Sequence, residues 1–471
     1  MPAPSAKTRD REFTVRAVVS GALLGVVFAA GNVYVGLKTG LSDNATVTAA
    51  ILGFAVCNTF GKTPYSVLEN NITQSVSSSA ATMPAAMGFL GSFPALTMMG
   101  HRYPSWVLLS WGIAVGLLGI AFALPLRERF LADDALPFPD AVATAEVIRA
   151  MHRSGARAVA KARALLMGGV AGGLIAWFRD GKPSVVPAVG YWPFAVAGVG
   201  APQLSLGLIF SPLLFALGVL IGPRTGWGLF VGGVLGWAVV APWLVATQVV
   251  ADASHQALRA WLVWPGAALM IAATVTSLAR DWRLLSRSAR DVRGLGHTYA
   301  GRALIAPAAL APIVVLTGWL CFEVSPLVLL GSLALSLVMA VVVARSIGET
   351  AAMPLGSIGR VTQLALAPAT PTAVASIVAA SVPAGSGGQT GQTLETLKVG
   401  QKLGASPRHQ IMAQLVGALV GAPAAVAAYV LLNRAYQLGG ADLAAPTASP
   451  WRVLAELIGQ GTAGMPPYAV T

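Results

Sequence analysis

The stretch "VVSGALLGVVFAAGNVYVGLKTG", residues 18–40, decides the class of this protein. No charged residue lies between Arg16 and Lys38, a distance that spans the hydrocarbon core of a bilayer as a helix of about 20 residues. The run then closes on a polar cluster, Asn32, Tyr34 and Lys38. Tyr and Lys at a span end are ordinary interface anchors, but an Asn on the same turn also suits the working end of a membrane helix.

Composition extends that reading to the whole chain. Its 471 residues are 55% hydrophobic and 10% charged, against about 25% charged for a soluble domain. Mean hydropathy is +0.70. Such a chain cannot cover itself with charge, so its outer surface faces lipid. Uncharged runs near 20 residues recur throughout, whereas a membrane β-barrel shows shorter alternating segments. The fold class expected is an all-α polytopic integral membrane protein of about 11–13 transmembrane helices, forming one domain over 1–471.

The net charge of +13 is no nucleic-acid signal, because the bases sit in blocks between apolar runs. Arg280, Arg283, Arg287, Arg290, Arg293 and Arg302 form one block. Arg127, Arg129, Arg149, Arg153, Arg157, Lys161 and Arg163 form another, and Lys7, Arg9, Arg11 and Arg16 precede the first span. Short basic loops stay on the cytoplasmic side. This predicts a cytoplasmic tail at 1–13 and cytoplasmic loops at 126–161 and 280–302. The 126–161 loop carries a short amphipathic helix after Pro139, and a C-terminal loop with a short surface helix occupies 436–471. The N-terminus is expected inside. Cys57 and Cys321 both fall in apolar segments, which suggests neither disulfides nor a metal cluster.

Clear spans are read at about 15–36, 45–60, 104–125, 162–178, 203–222, 226–249, 261–281, 303–323, 325–345 and 408–432. Two further regions, 66–100 and 347–395, are apolar but rich in Gly, Pro, Ser and amides. Irregular or polar backbone at membrane depth survives only where protein or a water cavity covers it, so both are expected to be discontinuous or re-entrant. Counting the basic blocks inside requires 66–100 to be a net crossing and 183–200 not to be. Two short echoes, "GLKTG" at 36–40 with "TLKVG" at 396–400 and "NITQ" at 71–74 with "RVTQ" at 360–363, suggest a two-fold internal repeat.

Ionisable groups at membrane depth are expensive and are functional candidates: Lys38, Asp43, Glu69, Glu349, Arg360, Glu395 and Lys398. After Glu69, the pairs Asn70/Gln74 and Asn71/Ser75 share helix faces and make a stripe of amides suited to a substrate with peptide bonds. The alternative is an interhelical hydrogen-bond seam. Glu349, before a Pro, is either a buried proton carrier or an interface residue beside Arg345. Glu395 and Lys398 are spaced to pair on one face, behind Gln389, Thr390, Gln392 and Thr393. The preceding "GSGG" reads as an anion-binding helix start or as a hinge. Enzyme signatures are missing: "GKT" at 61–63 has Val56 where a P-loop needs Gly, and the five histidines are scattered.

Five ordered segments, "AAGNVYVGLKTGLS", "LENNITQSVSSSAATMP", "GSFPALTMMG", "GIAFALPLRERF…ALPFPDAVATAEVIRA" and "LETLKVGQKLGASPRHQIMAQLVGALVGAP", give the chain a resemblance to the oligopeptide transporter family. The branch it resembles is prokaryotic and related to the yellow-stripe-like metal-chelate carriers. The resemblance implies secondary active transport, usually proton symport, of small peptides or peptide-like metal chelates, by a two-halved fold. The family's motif stretches fall on Asn32, Tyr34, Gly36, Lys38 and Gly40, on Glu69, Asn70, Asn71 and Gln74, and on Leu397, Lys398, Gly400 and Gly404. Two departures stand out: the acid of the late motif is displaced to Glu395, and family members tend to continue beyond residue 471.

The expected transport path comprises Asn32, Tyr34, Lys38, Asn70, Asn71, Gln74, Gln363, Gln389, Gln392 and Lys398, with Glu69, Glu349 and Glu395 as proton carriers. Expected partners are a peptide or metal-chelate substrate, protons, the lipid bilayer and, optionally, a second copy of the chain. No cofactor, metal or nucleic acid is expected. The alternative is a non-transporting or incomplete scaffold, or an embedded enzyme, of the same fold. The location is expected to be a bacterial inner membrane.

Overall fold

The computed structural model describes residues 11–60, 64–132, 136–153, 155–180, 185, 187, 189–196, 198–250, 253–280, 305–350, 353, 355–440 and 442–461. In chain order the first elements are α1 (Val15–Thr39), α2 (Thr46–Phe60), α3 (Val67–Ala86), α4 (Ser92–Met98), α5 (Ser105–Ala132), α6 (Pro139–Arg153) and α7 (Gly155–Asp180). Four short strands follow: β1 (Val189–Tyr191), β2 (Ala195–Val196), β3 (Val199–Gly200) and β4 (Gly207–Ile209). Then come α8 (Pro212–Val234), a π-helical segment (Leu235–Val240), α9 (Ala241–Ala246), α10 (His255–Arg280), α11 (Ile305–Phe322), α12 (Pro326–Thr350), α13 (Leu355–Leu366), a 3-10 turn (Ala367–Ala369), α14 (Ala373–Leu403), α15 (Pro407–Ala435) and α16 (Ala448–Gln460). This is the all-α polytopic architecture.

Among the described residues, six helices are long and apolar enough to cross a membrane: α1, most of α5, Gly226–Ala246, α11, α12 and α15. Two others, α3 and α14, are the polar ones, and they are buried almost end to end. Neither unwinds, because neighbouring helices meet their Asn, Gln, Ser and Thr side chains.

The chain divides into two compact units, 1–160 with 271–459 and 161–270 with 460–471. In the second, β1 pairs antiparallel with β4 and β2 with β3, so 183–200 is not a membrane span. A small apolar cluster there joins Val199, Leu204, Ala241, Leu244 and Leu258. The spans expected separately at 203–222 and 226–249 are instead one continuous helical run, Pro212–Ala246. The crossing count built on two helices there fails accordingly.

The first unit holds the polar helices, and the order of its contacts reveals their directions. Ser20 meets Thr73 (3.2 Å), Ser77 donates to Gly21 O and Asn32 to Ala81 O, so α1 and α3 run parallel. Ser332 donates to Ala379 O, and Gly387 and Gly391 both pack on Val343, so α12 and α14 also run parallel. Yet Gln389 donates to Ser79 while Gly385 lies against Ala86 O, which makes α3 and α14 antiparallel. Then α5 lies along α14, through Thr390 to Gly119 O and Gln401 to Leu131 O. In the same way α15 lies along α3, through Gln414 to Ser75 O. The set α1–α2–α3–α5 is thus repeated by α12–α13–α14–α15 with opposite direction, the pattern of an inverted-topology repeat. The motif echoes pair helices that this relation does not equate: "GLKTG" closes α1, whereas "TLKVG" lies inside α14.

Both interrupted regions break elsewhere than their composition suggests. The first breaks after α3, at 87–91, where Gly88 takes φ +80°. Within the described part of the second, the break lies at 367–372, while "GSGG" sits within α14. There a Cβ on Gly385 would strike Ala86 O and one on Gly391 would strike Val343. These glycines permit close helix approach rather than forming a hinge or an anion-binding helix start. The predicted helix after Pro139 is α6, with Pro139 as its first residue.

The expected C-terminal surface helix is α16, but one face is buried. Trp451, Val453, Leu454 and Ala455 are inside, and the Trp451 indole fills a cradle left by Gly91 and Gly359. The described part of the expected cytoplasmic tail, 11–13, is held against the start of α15. Glu12 accepts from Ser406 N (2.7 Å) and meets His409 Nδ1 (2.9 Å), and Phe13 stacks on His409. All of the basic loop expected at 280–302 except Arg280, and residues 462–471, lie outside the described residues.

A Cβ at Gly421 would meet the Cα and carbonyl oxygen of Ala80, whereas nothing lies within 4 Å of one at Gly169. Gly421→Ala should therefore destabilise the protein by about 1–3 kcal/mol through overpacking. Gly169→Ala should be neutral or slightly stabilising. Thermal unfolding of the detergent-solubilised protein checks both, and equal melting temperatures for the two variants would sink the close-packing account.

Candidate functional site

Helix α1 ends at Thr39, capped by Gly40 in the left-handed conformation (φ +81°). The following loop doubles back onto it. The Asn32 amide donates to Asp43 O (2.6 Å) and Ala81 O (2.8 Å), and its oxygen accepts from Asp43 N (3.3 Å). Asn32 therefore has its amide committed to backbone and holds the loop at the level of Ala81, in the C-terminal half of α3. Helix α2 starts there and runs only about 22 Å, shorter than a bilayer core. Its counterpart α13 is about 18 Å long.

A cavity of about 410 Å³ lies between the α1–α2 loop and the start of α13. Its wall includes Asp43 and Asn44 from that loop, Thr82 of α3 and Gly88 just beyond it, Met353, and Gly356 on the first turn of α13. Ser381 and Gly385 of α14 and Trp451 of α16 complete it, together with Asp140 at the start of α6. Phe138 N donates to Gly348 O (2.9 Å), which fixes that start against the end of α12. Behind the wall stands Glu395, 3% exposed. The Thr46 hydroxyl lies 3.4 Å from its carboxylate, Asn44 also bonds it, and Asp140 and Asp43 lie close enough to act on it electrostatically. Three carboxyl groups thus converge on one cavity, two in its wall and one just behind.

Beside this cavity runs a seam of fully buried amides and hydroxyls joining α3, α14 and α15. Gln410 donates to Asn71, Asn71 to Gln74 (3.4 Å) and Gln74 to Ser78 (3.1 Å). Ser79 donates to Gln414 O, and Gln389 donates to Ser79 (3.0 Å). Thr393 reaches the Gln414 amide oxygen (3.4 Å) and Gln392 donates to Thr396 (3.1 Å). The seam is incompletely satisfied: both amide atoms of Asn70 and the amide oxygens of Gln389, Gln392 and Gln410 have no hydrogen-bond partner among the described residues. A second cavity, about 650 Å³, abuts the far end of the seam, lined by Arg127, Glu128, Leu131, Leu397, Gln401 and Gln410 among others.

The sequence candidates sort accordingly. Asn70, Asn71, Gln74, Gln389 and Gln392 lie together in the seam. Glu395 stands behind the first cavity. Tyr34 and Lys38 are partly buried on the last turns of α1, outside the lining of both cavities. Gln363 donates to Trp451 O (3.2 Å) and holds α16 in place.

Glu69 is no lone proton carrier. Its carboxylate accepts from Thr14 (2.7 Å), from two Arg16 nitrogens (2.8 and 2.5 Å) and from Ser66 N in a capping box. Glu349 pairs with Arg345 at 2.8 Å, the interface reading rather than the buried-acid one. Lys398 does not pair with Glu395. Its ammonium lies 3.5 Å from Leu131 O and over the Phe138 ring. Asp140 and Gln410 were not singled out from sequence, Asp140 because an acid at a helix start reads as a helix-dipole partner.

A family model for the OPT oligopeptide transporter protein matches residues 12–470. The chain belongs to the OPT oligopeptide transporter family. A Haemophilus influenzae protein named "Putative oligopeptide transporter" is 31% identical over 56% of this chain. A Saccharomyces cerevisiae protein named "Putative oligopeptide transporter YGL114W" is 23% identical over 95% of the chain and 81% of its own length. The Arabidopsis thaliana "Metal-nicotianamine transporter YSL2" is 24% identical over 55% of the chain. The matched segments span 41% of the Haemophilus protein's length and 44% of the Arabidopsis protein's.

The clamp on Glu69 ties the start of α1 to the start of α3. Glu69→Gln should lower stability by about 1–2 kcal/mol, since it removes charge-assisted hydrogen bonds to a guanidinium that is 27% exposed. Arg16→Gln should cost a similar amount, and the double variant little more than either alone. Additive losses in thermal unfolding would show that the two side chains do not act as a pair.

Proposed function

We propose that this OPT-family chain is a proton-coupled secondary transporter of small peptides, and that the cavity between the α1–α2 loop and the start of α13 is its substrate site. The observation that carries this reading is the convergence of Asp43, Asp140 and Glu395 on one cavity, next to a seam of unsatisfied amides. Carboxylates suit the α-ammonium of a peptide, and amides with open acceptors suit its backbone N–H groups. The cavity also sits on the boundary between two inverted repeats, beside two short helices, which is where transporters of that design bind substrate.

Glu395 is assigned to proton uptake. It alone of the three candidate acids is both buried and lacks a basic partner among the described residues. Asp43 and Asp140 are assigned to the ammonium group. The N-terminal side, rich in arginine, is placed in the cytoplasm of a cell membrane.

The names of the plant relatives favour a second substrate class, metal chelates. Among the described residues no group of three His, Cys, Asp or Glu side chains is placed to hold a metal ion. A chelate would therefore be recognised through its organic part.

Reconstitution into liposomes tests the reading. With an inward proton gradient, a labelled tripeptide should accumulate, and Asp43→Asn and Asp140→Asn should each raise the half-saturating concentration at least about tenfold, the cost of about 1.4 kcal/mol. Glu395→Gln should keep peptide exchange at equal concentrations while losing accumulation driven by the gradient. Accumulation of a metal–nicotianamine chelate but no peptide would replace the substrate class, and undiminished accumulation by Glu395→Gln would remove the proton assignment.

A further inference from the structure

The second cavity belongs to none of the candidate sites read from sequence, and no relative's name bears on it. It lies where the last turns of α5 and α14 meet the start of α15. Gln410 is the one residue that both lines it and belongs to the amide seam. Its side-chain nitrogen donates to Asn71, the first link of the run Asn71–Gln74–Ser78. Its oxygen has no partner although the residue is 1% exposed. An unmet acceptor with that little exposure is costly, and a donor entering the cavity would recover the loss.

We propose that this second cavity is the opposite mouth of the transport path and that Gln410 is the gate between it and the amide seam. The proposal rests on the peptide-transport reading for its substrate, while the gate itself is a matter of geometry. In the closed arrangement Gln410 spans from α15 to Asn71 of α3. On its other side Gly400 of α14 leaves the room it occupies, since a Cβ there would land on the Gln410 amide. Swinging Gln410 toward the cavity breaks one hydrogen bond and opens the seam at Asn71. A passing peptide N–H then satisfies the Gln410 oxygen, and the amides of Asn70, Gln392 and Gln389 offer the next unmet acceptors along the way. The mouth is flanked by Arg127, and nearby Arg149 donates to Lys402 O. By the positive-inside rule this is the cytoplasmic mouth.

Cysteine accessibility in nanodiscs tests the gate in a background with Cys57 and Cys321 replaced by Ser. A cysteine at Ser78, fully buried in the seam, should react slowly with a cationic methanethiosulfonate reagent when Gln410 is present. Gln410→Ala should speed that reaction at least about tenfold. Gly400→Ala, which displaces the same amide without removing it, should do so as well, and a monodisperse size-exclusion peak shows that each variant is folded. Unchanged labelling in both folded variants would overturn the gate.

A cysteine at Gln401 reports the mouth and one at Ser381 the first cavity. Protection of both by a tripeptide supports one path with two mouths. Protection at Ser381 alone would overturn the role of the second cavity. Protection at neither, with the gate opening as expected, would support the gate and count against peptides as the substrate.

Discussion

The structure depends on keeping two polar helices away from lipid. Helices α3 and α14 carry Asn, Gln, Ser and Thr through much of their length, and almost none of these side chains is exposed. In hydrocarbon each unmet polar group costs several kcal/mol, so such helices exist only if other helices enclose them. The fold meets this requirement by pairing α3 with α14 and surrounding them with α1, α5, α12 and α15. The glycines set how close that enclosure comes. Gly21 and Gly25 admit α3 against α1, Gly417 and Gly421 admit it against α15, and Gly119 admits α14 against α5. Close backbone approach in turn lets short hydroxyls reach neighbouring carbonyls, as Ser77 does to Gly21 O and Ser79 to Gln414 O.

Inversion of the two halves explains why the site forms where it does. Each half contributes a long helix followed by a short helix that does not span the bilayer. The α1–α2 loop and the start of α13 approach the central pair from opposite halves, and the α1–α2 loop leaves irregular backbone at depth, tolerable only beside a cavity. Asn32 shows the device at atomic scale. A single side chain ties the loop backbone at Asp43 to both α1 and α3, so the Asp43 carboxylate is held at the cavity by a neighbour that does not touch the cavity itself.

Hydropathy and charge spacing made the membrane class legible, and the motif order made the family legible. The polar seam was legible too, because amides spaced four apart declare a shared helix face. What stayed hidden had physical causes. Regions rich in Gly and Ser read as broken helices, since sequence does not show that a neighbour will supply the missing partners. The docking of the tail was hidden for a similar reason: Glu12 and Phe13 meet Ser406 and His409 only once the chain has folded. Glu69 read as an unpaired acid because its partner, Arg16, is distant in sequence and was counted with the loop charges. Asp140 was overlooked because only the fold folds its helix start back toward the two loops.

These misreadings share a direction, and it separates structural from functional polarity. Where an ionisable group has a complementary partner, as with Glu69 and Arg16 or Glu349 and Arg345, its charge is compensated and gains nothing from moving. The groups that remain are carboxyls gathered without basic partners among the described residues and amides with open acceptors, and both lie along α14 and its neighbours. An arrangement that leaves like charges together and hydrogen bonds unmade is costly to the resting fold. That cost is borne where the two cavities approach a common seam, away from the compensated ion pairs.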